Sequence, residues 1–407
     1  MKVLFLSHRV PFPPQSGSKV RAFNIIRHLS QQGHAVTVAS LARSEQELKE
    51  AEGLRSHCAT LLLERVSAPA AWMRTVASLP TTTPSSFGYF HCPALLRRTR
   101  ELLRSEEFDL VFVHSSSMAP YVRGFSAPVR ILDFCDMDSQ KWRAYSRHKP
   151  FPLSTGYRLE AVKLEWTEAR LAAEFDLCTC ATGAELESLR DLGVDSSADW
   201  FPNGVDAEIF TPADSYDPDL IVFVGRMDYY PNQQAVTQFC HGVLPTLQRR
   251  RPAARFEIVG ADPPPSVRAL AQLPGVTVTG SVADVRPYVS RAALSVAPLL
   301  IARGTQNKVL ESMAMGVPVV CSPAVCKGVD AVPGQHLLCA SGAQELVREV
   351  ERVLDSRELR ARLANAGRQR VLTHHSWSSA MARLDSLIRA AVARRAEVKG
   401  AARYALH

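Results

Sequence analysis

The stretch Ala302-Arg303-Gly304-Thr305-Gln306-Asn307-Lys308-Val309-Leu310-Glu311-Ser312-Met313-Ala314-Met315-Gly316-Val317-Pro318-Val319-Val320 holds the residues best placed to do chemistry. A polar loop with a glycine leads into a helical segment that stops at Gly316, before a proline and an apolar run of strand type. Backbone N–H groups of Gly304, Thr305, Gln306 and Asn307 would lie at the helix N-terminus, where free donors and the helix dipole stabilise an anion. Lys308 adds a full positive charge in the same turn. Glu311, three residues on, shares its helix face. A carboxylate there can accept hydrogen bonds from two adjacent ribose hydroxyls. Taken alone, Lys308 and Glu311 read as a surface ion pair; inside this loop, helix and strand they read as an anion and ribose site.

Such a site needs rigid elements behind it. Residues 2–7 form an apolar run that ends in the Pro-rich loop Pro11-Phe12-Pro13-Pro14-Gln15-Ser16-Gly17-Ser18. A helix with Val20, Phe23, Ile26 and Leu29 on one face follows and stops near Gly33. Further strands are expected at 35–40, 60–66, 108–114, 129–133 and 177–181, with a long helix over 158–175. Residues 200–219, with Pro202-Asn203-Gly204, Pro212, Asp214, Asp217 and Pro218, lack apolar periodicity and read as a linker. The alternation restarts with strands at 220–224, 255–259, 276–279, 294–297 and 317–321. The last segment, 376–396, places Trp377, Met381, Leu384, Leu387 and Ile388 at helical spacing. The fold class is therefore α/β: two Rossmann-like domains, each a doubly wound parallel sheet, with a ligand cleft between two sets of strand C-termini. The boundaries are an N-terminal domain over 1–202, a linker over 203–218, a second domain over 219–375 and a C-terminal helix with a basic tail over 376–407.

Two further groups sit where such sheets bind ligands. His114 closes the 108–114 run; it either contacts a ligand in the cleft or is a hydrogen-bonded histidine that ends a strand. Asp136 and Asp138 follow the next strand end, as ligand-side groups or as turn and cap residues, because Asp bonds readily to nearby backbone. Neither half opens with Gly-x-Gly-x-x-Gly, and no Walker phosphate loop occurs, which argues against a dehydrogenase or a P-loop enzyme.

The 407 residues exceed one ordinary core, and 46% hydrophobic with 22% charged residues describes a globular chain rather than a disordered one. Mean hydropathy is −0.06, and no apolar run reaches the ~18 residues of a membrane span. The N-terminal Met-Lys-Val-Leu-Phe-Leu is too short for a signal-peptide core, so a cytoplasmic location is expected. The charge of +8 and pI near 9.1 suit an anionic partner, whether nucleotide phosphates, a membrane face or nucleic acid. Nine cysteines without a Cys-x-x-Cys pair, two of them alternating in Cys178-Thr179-Cys180, indicate reduced thiols rather than a zinc or disulfide framework. Residues 68–90 are rich in Pro, Ser and Thr yet carry Trp72, Met73, Phe87, Tyr89 and Phe90, and a basic amphipathic helix with Arg97, Arg98, Arg100 and Arg104 comes next. This region reads as a solvated helix face or as an insertion resting on an anionic membrane surface.

From Gly304 to Val320 the sequence resembles the donor-site signature of family 4 glycosyltransferases, which have the two-domain GT-B fold. Phe201-Pro202-Asn203-Gly204-Val205-Asp206, Val224-Gly225-Arg226 and His375-Ser376-Trp377 are similar, in order, to the family's interdomain motif, first donor-domain loop and start of the helix that crosses back. Pro13-Pro14-Gln15-Ser16-Gly17-Ser18-Lys19, the run from Asp133 to Trp142, and Met227-Asp228-Tyr229-Tyr230-Pro231-Asn232 resemble the sugar transferases associated with exosortase/PEP-CTERM exopolysaccharide systems.

The resemblance implies a retaining, metal-independent glycosyltransferase of hexosyltransferase type. It would move sugar from a UDP or GDP donor to a glycan or polyprenyl-linked acceptor, at the inner membrane face and without nucleic acid as partner. By carry-over, Arg226 and Lys308 stabilise the leaving diphosphate and His114 meets the sugar or acceptor. Gly17, Gly225, Gly304, Thr305, Asn307 and Glu311 hold the donor, Ser281 and Val282 meet its base, and Asp136 and Asp138 lie on the acceptor side. Two departures stand out. Arg303 occupies the place of a common Glu eight residues before Glu311, and 227–232 lacks the usual lysine, so that Lys308 supplies that cation with Arg226 opposite. A UDP-sugar 2-epimerase of the same fold and an inactive nucleotide-sugar binder are the alternatives.

Overall fold

Val3, Leu4, Phe5 and Leu6 are fully buried in strand β1 (Lys2–Ser7), as expected of a strand covered on both faces. The computed structural model describes residues 1–14, 17–125, 127, 129–194 and 197–404. In it β1 pairs in parallel with β2 (Ala35–Ala42) and, further along the chain, with β4 (Leu110–His114), while β3 (Thr60–Arg65) extends the sheet beyond β2. With β5 (Val129–Cys135), β6 (Leu177–Cys180) and β7 (Ala198–Trp200) the order is β3-β2-β1-β4-β5-β6-β7. The order reverses between β1 and β4, which aligns Ser7 with His114 and His114 with Asp133 at the C-terminal edge. Ligands bind at such a reversal in open α/β sheets.

A second sheet repeats the plan with β8 (Asp217–Val224), β9 (Arg255–Val259), β10 (Val276–Gly280), β11 (Ala292–Ala297), β12 (Val319–Cys321) and β13 (Leu338–Cys339), ordered β10-β9-β8-β11-β12-β13. The chain divides into two compact units, Met1–Pro202 with Met381–His407, and Asn203–Ala380. Within the first, the helix Trp377–Tyr404 is held by a 2.9 Å bond between His28 Nε2 and Asp385 and by Arg383 on Asp199, also 2.9 Å.

The structure differs from the sequence expectation in several places. Helix Gly17–Gln31 starts inside the expected loop, so Gly17 opens a helix; Gln15 and Ser16 of that loop lie outside the described residues. Residues 68–90 form two helices, Ala68–Ser78 and Ser85–Phe90, the first with a proline in its opening turn where a missing N–H costs nothing. Strand β8 begins at Asp217 rather than at residue 220, because the Asp217 N–H bonds to Arg291 O at 2.8 Å and its carboxylate pairs with Arg255.

Gly204 is required by packing. A Cβ there would sit 2.5 Å from the backbone nitrogen of Trp377, where Val205 N–H also bonds to His375 O at 2.7 Å. Gly204→Ala is expected to cost about 1–3 kcal/mol through forced displacement of backbone. Denaturant unfolding checks this; an unchanged midpoint would show that the contact yields freely.

Candidate active site

The second unit brings Gly225, Asn232 and Lys308 together. Gly225 follows the buried end of β8, and Lys308 lies in the first turn of helix Asn307–Ala314 after β11. Lys308 Nζ donates to Asn232 Oδ1 at 2.7 Å and stands 4.4 Å from the centroid of the Phe223 ring. Asn232 Nδ2 donates in turn to the Arg226 carbonyl at 2.7 Å, so one amide ties the ammonium to the loop after β8. A Cβ on Gly225 would meet Asn232 Nδ2 at 2.7 Å and Lys308 Nζ at 3.0 Å. Gly260, after β9, packs against the same loop: a Cβ there would lie 1.8 Å from Gly225 O.

The ammonium is poised to titrate. Burial lowers the Lys308 pKa to about 7 against the raising effect of Glu311, and burial raises Glu311 to about 7 against the lowering effect of Lys308. No side chain caps helix Asn307–Ala314, and Asn307 Oδ1 accepts from Asn203 Nδ2 at 3.3 Å. Gly304 adopts φ 60°, and a Cβ on Gly328 would fall 2.2 Å from its carbonyl oxygen, so two glycines let these loops meet. Thr305 lies in the same turn. Ser281 is exposed after β10, whereas Val282 is half-buried against the core beneath.

Arg226, expected opposite Lys308, is ion-paired. Its guanidinium is held by Asp228 at 2.8 Å and Asp262 at 2.6 Å, and its carbonyl is what connects to Lys308 through Asn232. These contacts engage Nε and Nη2, and the side chain is 56% exposed.

In the first unit the edge formed by β1, β4, β5 and β6 is organised by a buried ion pair. Arg21 is 1% exposed and Asp133 0%. Arg21 Nε and Nη2 donate to Asp133 Oδ2 and Oδ1, both at 2.9 Å, Nη1 donates to Phe201 O at 2.9 Å, and the guanidinium stacks 3.6 Å from the Phe201 ring centroid. Thr179 Oγ1 and His114 Nδ1 also donate to Asp133, each at 2.9 Å. Burial opposes the Asp133 charge, but Arg21 and these bonds outweigh it and hold the carboxyl well below the usual range.

His114 therefore has its Nδ1 fixed on Asp133, the arrangement of a hydrogen-bonded strand-end histidine, and its ring stacks between Phe5 and His8. His114, Asp133 and Cys135 offer ligand atoms within 4.8 Å of one another, yet a cation there would face Arg21 across the same carboxylate. Burial also pushes the Cys135 thiol well up, which keeps it protonated. Asp136 is half-buried and, through burial and then Glu185, has its carboxyl raised to about 7. Asp138 opens helix Asp138–His148 and pairs with Lys141 at 3.7 Å, a first-turn acid that suits the helix dipole.

His8, Asn232 and Gly260 were not marked by the sequence. His8 follows β1 at the strand-order reversal, its Nδ1 is buried without a partner, and burial with the neighbouring His114 lowers its pKa well below the ordinary value. Its position one residue past an apolar strand was the available signal.

Residues 15–209 match the family profile described as Glycosyltransferase Family 4, and residues 218–356 that described as Glycosyl transferases group 1. No curated protein sequence matches the chain. Among solved structures, sucrose-phosphate synthase from Thermosynechococcus elongatus is similar at TM-score 0.69 with 16% identity, covering 97% of this chain and 100% of its own. HepE from Anabaena, in complex with UDP and glucose, is similar at TM-score 0.66 with 13% identity over 96% of this chain and 100% of its own. WaaG, a glycosyltransferase involved in lipopolysaccharide biosynthesis, is similar at TM-score 0.63 with 16% identity, covering 95% and 99%. Their strands and helices follow the same two-unit plan. The chain is a group 1 glycosyltransferase with the GT-B fold.

Proposed function

We propose that the enzyme transfers a sugar, with retention of configuration, from a nucleoside-diphosphate donor of UDP or GDP type to a glycan or polyprenyl-linked acceptor in exopolysaccharide synthesis. In this reading it works in the cytoplasm, at the inner face of the membrane, in an exosortase-associated system. The observation that carries the donor side is Lys308 Nζ, held 2.7 Å from Asn232 beside Gly225 and next to an uncapped helix start. A diphosphate there meets a positive charge and the positive end of a helix dipole, while Glu311, one turn along, accepts the ribose hydroxyls. Gly304, Thr305 and Asn307 complete the donor loop, and the backbone of Ser281 and Val282 meets the base.

Breaking the bond from sugar C1 to phosphate oxygen leaves charge on the phosphate, which Lys308 and the helix start stabilise, joined by the guanidinium of Arg226. The departing phosphate accepts the proton of the acceptor hydroxyl, so no protein base is assigned. His114, oriented by Asp133, and the protonatable Asp136 lie with Asp138 on the acceptor side. HepE's complex with UDP and glucose makes UDP the first nucleotide to try. Titration calorimetry with UDP, GDP, ADP and CMP is the test. Micromolar binding of UDP or GDP is expected, and binding of none of the four would overturn the reading.

A further inference from the structure

The first unit exposes apolar residues in two ordered stripes. Helix Ala68–Ser78 and the residue after it turn Trp72, Met73, Val76 and Leu79 to solvent at i, i+1, i+4 and i+7, with Trp72 62% exposed. Helix Leu153–Glu174 exposes Leu159, Val162 and Trp166 at i, i+3 and i+7, and Phe151 just before it is 81% exposed. The stripes adjoin. Lys163, beside Val162, donates to Ser78 O at 3.0 Å and to Leu79 O at 2.8 Å. Glu160 fastens the next helix by accepting from Ser85 N at 2.9 Å and Ser86 N at 3.1 Å.

The charge around this face is predominantly positive, with Glu165, beside Trp166, paired to Arg143. Residues 68–90 contain no Asp or Glu. Residues 141–163 carry six lysines and arginines against one acid, Glu160, which is buried and bonded as just described. Between the end of helix Asp138–His148 and the start of helix Leu153–Glu174, Arg143, Arg147 and Arg158 line a cavity of about 430 Å³ together with Ser146, Ser154 and Thr155. Guanidinium groups among hydroxyls supply the donor chemistry that a phosphate takes. Arg143 is partly engaged by Glu165, while its Nε is buried without a partner.

We propose that this face seats on an anionic phospholipid bilayer, with Trp72, Trp166 and Phe151 entering the headgroup boundary and the three-arginine cavity taking a lipid phosphate. Exposed indoles beside cations are the pattern of interfacial anchors, whereas the buried centre of a protein–protein contact is depleted of charge. No helix among the described residues is long and apolar enough to cross a membrane, so contact would be peripheral. The basic helix Pro93–Ser105 is a poorer anchor. Its apolar side is packed inward through Leu95, and Arg98 pairs with Glu64 at 2.7 Å. The proposal rests on the membrane-face part of the function above, not on the chemistry of transfer.

The test is flotation of the full chain with phosphatidylcholine vesicles, with and without phosphatidylglycerol, for wild type, the Trp72→Ser/Trp166→Ser variant and the Arg147→Ala/Arg158→Ala variant. Wild type is expected to float with the anionic vesicles, less at high salt. The arginine variant is expected to lose roughly thirtyfold in partitioning, the product of two basic residues' attraction to the surface. The tryptophan variant is expected to lose binding at any salt. Absence of wild-type flotation, or flotation that neither variant alters, would overturn the proposal. So would a wild-type dimer, dissociated by the tryptophan changes, that ignores vesicles, since the face would then bind a second copy. UDP titration of each protein separates the two readings: retained nucleotide binding without flotation defeats only the bilayer proposal.

Discussion

Lys308→Met is expected to weaken nucleoside-diphosphate binding by about 1.5–3 kcal/mol, the worth of a hydrogen bond to a charged group, or roughly ten- to hundredfold. The turnover number should fall further, by about 10²–10³-fold, because charge on the leaving phosphate grows toward the transition state. Methionine is unbranched like lysine, so the substitution removes the charge and its 4.4 Å contact with the Phe223 ring with little change in bulk. Calorimetry for binding and single-turnover assays for the chemical step read the two effects separately. Unchanged nucleotide affinity would remove Lys308 from the donor site.

A pH signature accompanies that prediction. With Lys308 lowered to about 7 and Glu311 raised to about 7, the pair changes charge near neutrality. A bound diphosphate favours the ammonium form, so affinity should fall as pH rises above about 7, by up to tenfold per pH unit, with proton uptake on binding. Ribose hydroxyls donating to Glu311 favour the carboxylate, so affinity should also fall as pH drops below about 7, with proton release. The resulting bell belongs to the coupled pair rather than to either residue. Lys308→Met should erase the alkaline limb and leave the acid limb; calorimetry in buffers of different ionisation enthalpy would show both, and a flat profile would refute the coupling.

What the sequence revealed and what it hid follow from the range of the interactions. Local periodicity exposed the longer buried strands and the helix start at Lys308, because both depend on neighbours a few residues apart. Strands Ala198–Trp200 and Leu338–Cys339 escaped notice because two or three residues carry no period. Asn232 reaches Lys308 across 76 positions, and Gly260 joins the candidate site through the carbonyl of Gly225. The place of Arg226 after β8 is visible in the sequence, but that Asp262, 36 residues on, reaches its guanidinium is not. The exposed stripes were half visible: Trp72 and Met73 stood out in a polar region, but Trp166 sits in a helix whose exposed face no pattern declared.

The least legible feature carries the second large expectation. Arg21 and Asp133, 112 residues apart, form a buried pair with five donors on one carboxylate group: two from Arg21 and one each from His114, Thr179 and the Cys135 thiol. Arg21→Met should destabilise the first unit by about 3–5 kcal/mol, because it strands a charge that burial otherwise disfavours. That is a large part of the stability of an ordinary domain. The pH dependence has a definite sign. In the wild type the Asp133 pKa is depressed in the fold, so its stabilisation is present above the unfolded pKa of about 3.9 and is lost as pH falls toward the folded value. Without Arg21 the stranded carboxyl should titrate above that unfolded value, so its penalty grows as pH rises and fades as it protonates. The gap between wild type and variant should therefore be widest near neutrality and narrow in acid. Arg21→Met/Asp133→Leu should recover much of the loss, since removing both charges leaves none unpaired, although His114 would then lose its orienting carboxylate and transfer activity should stay low. Urea unfolding across pH decides: a loss below about 1 kcal/mol for Arg21→Met, or a gap that widens in acid, would mean that the pair does not hold this edge of the sheet together.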